Sequence, residues 1–100
     1  MRLEITRSAQ DDLLEIGRYI AEDDPRAARR FIGRLKTRAR LAARNPRAGR
    51  MVPEWLQEDL REVLVGRYRI IYAVRPRLVI VLAFIEGHRL LRSSDLDRPR

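Results

Sequence analysis

No cysteine occurs in this 100-residue chain, which removes disulfide staples and thiolate metal sites and points to a reducing compartment, the cytoplasm. Histidine occurs once and the carboxylates are scattered, so neither a metal ligand set nor a cofactor is expected. Glycine and proline number only five each, too few for a disordered or collagen-like chain. Aromatic residues make up 6%, and neither a stacked-base platform nor a helix-turn-helix is visible, so a stand-alone nucleic-acid-binding module is not indicated. The longest wholly apolar run, residues 78–85, falls far short of the roughly 20 residues of a membrane span. Residues 1–6 lack an apolar signal core, and no membrane is expected as a partner. At this length one small domain over residues 1–100 is expected, and no second.

What is present is charge and a folding quantity of apolar residues. Hydrophobic residues are 45%, charged residues 36%, and 22 Lys+Arg against 14 Asp+Glu leave a net charge of +8. That balance favours an anionic partner or simply keeps the chain soluble. Residues 2–6 alternate, with Leu3 and Ile5 on one side, as a short strand does. A helix follows to about Asp23, with Ser8 and Asp11 as a carboxylate variant of the capping box. Ala9, Leu13, Ile16, Gly17 and Ile20 form its apolar stripe, and Asp11, Asp12, Glu15 and Glu22 fall away from it. Asp24-Pro25 restarts a helix, Asp as N-cap and Pro at the first position. This second helix buries Ala28, Phe31, Ile32, Leu35, Ala39 and Ala42 and stops at Asn45-Pro46. With almost no linker the two helices form an antiparallel hairpin.

The hairpin is polarised. Residues 8–24 hold six acids and one base, whereas residues 26–50 hold ten bases and no acid. Arg26, Arg29, Arg30, Arg34, Arg40 and Arg44 lie opposite the apolar stripe of the second helix and face solvent. Residues 45–60 read as a loop anchored by Trp55, with a helical turn near residues 54–60. Three strands then follow at residues 61–65, 68–74 and 78–85, joined by Gly66-Arg67 and Arg75-Pro76-Arg77. The last is apolar at every position and needs cover on both faces. One face receives the helices; the other needs the loop, the segment after Glu86, or another chain. The fold class is α+β: an N-terminal strand, an antiparallel two-helix hairpin, and a three-stranded antiparallel meander, forming one sheet, with residues 93–100 a flexible tail.

Several stretches carry a closer likeness. They are Ser8-Ala9-Gln10-Asp11-Asp12-Leu13, Asn45-Pro46, Gly49-Arg50-Met51-Val52-Pro53-Glu54, Arg61-Glu62-Val63, and Gly66-Arg67-Tyr68-Arg69-Ile70-Ile71-Tyr72. In this order and spacing, over about residues 2–90, the chain resembles the RelE/ParE superfamily of toxins from type II toxin–antitoxin pairs. The resemblance implies a small cytoplasmic toxin held inactive by a cognate antitoxin, whose C-terminal segment wraps it. An acidic, partly apolar antitoxin segment answers both the surplus positive charge and an uncovered sheet face.

The superfamily has two principal activities. A RelE-like ribosome-dependent mRNA endoribonuclease needs cations at the scissile phosphate and groups that move protons near the end of the last strand. Arg61 and Arg69 are the electrostatic candidates and His88 the general base. The C-terminal Tyr or His-Tyr of many ribonuclease members has no counterpart, the only tyrosines being Tyr19, Tyr68 and Tyr72. Glu86-Gly87-His88-Arg89 stands where ParE-like members show His-Gly-x-Arg; Gly87 and Arg89 match, and Glu86 replaces the His. The balance favours ParE-like inhibition of DNA gyrase and replication, which is not an enzymatic reaction of the toxin and asks for a binding surface without a tuned pKa. Arg67, Arg69, Arg89 and Arg92 are the target-binding candidates. Arg61 and Arg69 have an alternative use, pairing with Glu62, Glu86 or Glu54 to stiffen the sheet, and Glu86 can pair with Arg89. A third reading is an inactive orphan toxin that acts only in autorepression with its antitoxin. DNA is expected as a partner only through the toxin–antitoxin complex, the basic helix supplying phosphate contacts.

Overall fold

Thr6, two residues ahead of the expected cap Ser8, starts the first helix in the structure, a computed structural model that describes residues 1–92 and Asp95. Thr6 is still extended as the chain leaves strand β1 (Arg2–Ile5), and its hydroxyl accepts the Ala9 N–H at 3.1 Å. Ser8 therefore sits inside α1 (Arg7–Ala21). Ala9, Leu13 and Ile16 form its buried stripe at helical spacing. Helix α2 (Pro25–Arg44) begins as expected: the Asp24 carboxylate accepts the Arg26 and Ala27 N–H groups at 3.0 and 3.1 Å. A cap of this kind contributes about 1 kcal/mol. Ala28, Leu35, Ala39, Ala42 and Ala43 are buried, while Phe31 and Ile32 stay half-buried at the stripe's edge. Alanine at four of the five buried positions lets α2 lie close to its neighbours.

The segment after α2 departs from expectation. Pro46–Ala48 form a single 3₁₀ turn, and Arg50–Met51 form a two-residue edge strand, β2, so the sheet has five strands. No helical turn occupies residues 54–60: a turn covers residues 53–55 and Leu56 takes φ 48°. Two residues are too short a run to show alternation, which is why β2 is invisible in the sequence. Strands β3 (Leu60–Val65), β4 (Tyr68–Arg75) and β5 (Leu78–Glu86) form the expected meander. The sheet order is β1-β5-β4-β3-β2, with β1 parallel to β5 and the other pairs antiparallel.

Strand β5 explains its own composition. Ile71 faces Ala83 and Tyr72 faces Val81, so Leu82 is an extra residue that shifts the side-chain alternation. Val79, Val81 and Phe84 consequently point to the helices, and Ala83 and Ile85 to the other face. Beyond Val81, β1 no longer covers β5, and the Asp12 carboxylate accepts the Phe84 N–H at 3.0 Å. Asp12, expected to fall away from the packed side, is a bridge from α1 to the sheet.

Both faces of the sheet are covered by the chain itself. The helix side holds Leu13, Leu35, Ile70, Tyr72, Val79 and Phe84 among others. The far side holds Val52, Leu60, Ile71, Ala83, Ile85 and Leu91, with Trp55 packed against them. The loop, through Val52 and Trp55, and the segment after Glu86, through Leu91, supply cover for that second face. Burying Leu35 or Ile70 completely contributes about 1.5–3 kcal/mol each. No helix among the described residues is long and apolar enough to cross a membrane. The expected flexible tail, residues 93–100, lies outside the described residues apart from Asp95, whose side chain is only 10% exposed and pairs with Arg89.

Candidate functional site

Side chains on the far face of the sheet alternate with those in the helix-side core, and toward the β2 edge that face changes from apolar to ionic. Glu62 on β3, Arg69 on β4 and Arg50 on β2 share it, because Glu62 pairs in register with Arg50 and Arg69 is opposite Leu64. The Arg69 Nε donates to Glu62 at 2.7 Å. Its Nη1 and Nη2 fork onto both oxygens of Glu54 at 2.9 and 2.8 Å. The Arg50 Nε donates to the second Glu62 oxygen at 2.6 Å. Glu54 also accepts the Leu91 N–H at 2.8 Å, and Arg69 reaches the Arg89 carbonyl at 3.3 Å. Two guanidinium groups and two carboxylates thus cancel. Glu62 is fully buried and Arg69 is 3% exposed.

This network sets the protonation of its members. The Arg69 guanidinium on Glu54, helped by the Leu91 N–H and opposed by burial, brings the Glu54 carboxyl down to about 2. Glu54 in turn raises the pKa of Arg69, with burial opposing and Glu62 adding to the rise. A carboxylate this acidic is a poor proton acceptor near neutral pH.

Above the network opens a cleft of about 570 Å³, lined by Arg67, His88, Arg89, Leu64 and Leu90 over the buried Arg69 and the half-buried Glu54. Leu64 is 56% exposed and Leu90 74%. The cleft is shaped by a close approach of two turns, the Gly87 N–H donating to the Arg67 carbonyl. A Cβ at Gly87 would stand 3.0 Å from that same oxygen. The Arg89 guanidinium is held by an ion pair at 2.8 Å to Asp95, and Glu86 meets Arg89 through its backbone carbonyl, which accepts the Arg89 N–H at 3.1 Å. Burial opposes ionisation of Asp95, but the Arg92 N–H and the Arg89 guanidinium prevail and hold its carboxyl below the usual range.

The structure therefore brings Arg67, Arg69, Arg89 and His88 into one cleft, with Arg69 as its floor. Arg92 is exposed beside it, its N–H donating to Asp95 at 2.8 Å. Arg61 is not part of this group. It pairs in register with Tyr72 on the helix side and donates to the Glu58 and Gly49 carbonyls at 2.8 and 3.1 Å. Arg61 and Arg69 do not converge on one phosphate. Of the pairing partners considered for Arg69, Glu54 and Glu62 are the ones it uses. Tyr68 and Tyr72 share the helix-side face: Tyr72 is fully buried and donates to the Pro46 carbonyl at 2.7 Å, and Tyr68 packs against Phe31. Arg50, Leu64 and Leu90 were not among the sequence candidates. Arg50 stands in the same stretch as Glu54, but only the β2–β3 register places it on Glu62. Among the described residues no group of three or more His, Cys, Asp or Glu side chains is placed to hold a metal ion.

Comparison with known proteins gives a family and a fold. The family model described as "ParE toxin of type II toxin-antitoxin system, parDE" matches residues 3–91. The solved structure titled "Chromosomal ParDE TA system from P. aeruginosa" superposes with a TM-score of 0.72 at 18% identity, covering 86% of this chain and 95% of that one. No curated protein matches the chain.

Proposed function

The chain belongs to the ParE toxin family of type II toxin–antitoxin systems, and from that premise we propose that it inhibits DNA gyrase in the cytoplasm until a cognate antitoxin neutralises it. As a toxin of a type II system its partner is an antitoxin. In this reading the antitoxin contributes an acidic C-terminal segment, and the contact with gyrase is made by Arg67, Arg89 and Arg92 with the exposed Leu64 and Leu90. The observation that carries the reading is the state of the cleft floor. Arg69 and both of its carboxylate partners are engaged with one another, so the floor has no free base for proton transfer. The rim instead offers exposed guanidinium and leucine side chains, the chemistry of a contact surface. Arg69 acts here by shaping that surface rather than by touching the target.

The test is direct. The full chain added to gyrase, relaxed plasmid and ATP is expected to block supercoiling and accumulate linear DNA. Arg67→Glu combined with Arg89→Glu is expected to weaken that inhibition about tenfold or more, as loss of an interface centre does. Full inhibition by this variant would overturn the assignment. A ribosome-dependent endoribonuclease is the second reading, favoured by one observation: His88 lines the same cleft. It requires codon-dependent cuts in ribosome-bound mRNA that His88→Ala abolishes.

A further inference from the structure

Helix α2 carries the largest uncompensated charge of the molecule, and it lies outside the cleft. No acid occurs between Arg26 and Pro53. Six ion pairs are formed among the described residues, and none involves a cation of α2. Arg30, Arg34, Arg38 and Arg40 instead line a groove between α2 and the β3–β4 turn. Gly33 and Thr37 lie between them, and the space a Gly33 side chain would fill is open to 4 Å. A bulky chain can approach this part of the helix closely.

We propose that this row is a phosphate-docking surface for duplex DNA, giving the toxin its own sequence-independent affinity for the double helix. Arg30, Arg34 and Arg38 follow one another at i, i+4 and i+8, a step of about 6 Å along the helix axis. They face one strip of the surface rather than one point, which suits a line of phosphates better than a single anion. The occupant follows from what the groove lacks. A docked amphipathic peptide needs a run of apolar anchors, and the groove offers only Leu41 and Leu64 as large exposed apolar side chains. The apolar groove of the hairpin is elsewhere, between α1 and α2, lined by Leu13, Leu14, Gly17 and Ile32. Single strands bind by stacking on free aromatic faces. The one aromatic ring of α2, Phe31, is occupied by the Arg34 guanidinium at 5.5 Å from its centroid and by the Tyr68 ring at 5.5 Å. Phosphate contact without base stacking is the chemistry of a duplex backbone. The acids of α1 lie on the other limb of the hairpin and orient the molecule, since they are repelled by the same phosphates.

The experiment is salt-dependent fluorescence anisotropy of the full chain with two unrelated 20-base-pair duplexes. Equal affinity for the two and a linear fall of log K with log salt are expected. Each phosphate contact contributes about 0.9 to the slope, so Arg30→Gln/Arg34→Gln/Arg38→Gln lowers its magnitude by about 2.7. Arg34→Gln alone lowers it by about 0.9, which keeps the test valid if the triple variant fails to fold. Arg77→Gln, at the β4–β5 turn, leaves it unchanged. An unchanged slope in the α2 variants, tighter binding to a single strand than to the duplex, or no binding at 50 mM salt would each overturn the proposal. Gyrase inhibition by the same variants is a separate readout, so loss of the gyrase reading leaves this one standing.

Discussion

All three nitrogens of the Arg69 guanidinium are engaged, and Glu62 is fully buried beneath them. Removing one member of a buried ionic group leaves the others uncompensated, which costs about 3–5 kcal/mol. Arg69→Ala is therefore expected to lower stability by that amount in urea titrations, and Arg69→Lys to recover little of it, since a point charge cannot replace the fork onto Glu54. Glu54 adds a pH dependence of known sign. Its pKa is 4.5 when unpaired and about 2 when folded. The stability it contributes is complete above pH 4.5 and is lost as the pH falls from 4.5 toward 2, on the order of 3 kcal/mol in total. Asp95, also lowered, adds a loss in the same direction. Glu54→Gln is expected to flatten the stability profile below pH 4.5; an unaltered profile would place the acid sensitivity elsewhere. Gly49 belongs to the same scale. A Cβ there would stand 2.1 Å from the Tyr72 hydroxyl and 2.9 Å from the Glu62 carbonyl oxygen. Gly49→Ala is expected to cost about 1–3 kcal/mol by overpacking, measured by thermal melting.

Among the elements, β5 is the one on which the others depend. It pairs with β4 along its length and with β1 over its first half, and its bulge at Leu82 sends Phe84 to the helices. Past the end of β1, α1 supplies an acceptor for the Phe84 N–H through Asp12, across 72 residues of sequence. Asp12→Ala is expected to leave the Phe84 N–H without its partner at a cost of about 1–3 kcal/mol. Faster hydrogen exchange at the Phe84 amide, with α1 still helical by circular dichroism, is the result that checks it. Protection equal to the parent chain would show that the Asp12 carboxylate is not what shields this amide.

At the level of the whole molecule, charge is segregated. Acids concentrate on α1, bases on α2 and on the rim of the cleft, and the far face of the sheet is neutralised internally. The segment after β5 closes that face through Leu91 and is held by the Arg89–Asp95 pair. A chain ending at Arg92 loses Asp95 while keeping every described residue of both apolar clusters. Cooperative melting is expected to persist, and residues 87–92 are expected to become the first site of limited proteolysis. Loss of the cooperative transition would show that the core extends beyond Arg92.

The order of strand, helix hairpin and meander was legible along the sequence because each element carries a local signal. Leu3 and Ile5 alternate, Asp24-Pro25 caps and starts α2, and Gly66-Arg67 turns the chain. The charge polarity of the hairpin was equally plain, since it depends only on which residues are present. The site was legible in part: Arg67, Arg69, Arg89 and His88 do meet, but their roles divide according to burial, which no local pattern encodes. Only the tertiary structure decided that Arg69 is a floor locked by Glu54 and Glu62, that Arg61 belongs to the other face, and that Arg50 joins the network through a two-residue strand. Alternation tells which residues of one strand share a side. It does not tell how adjacent strands are registered or where a bulge intervenes, and ion pairs between distant residues follow from that register.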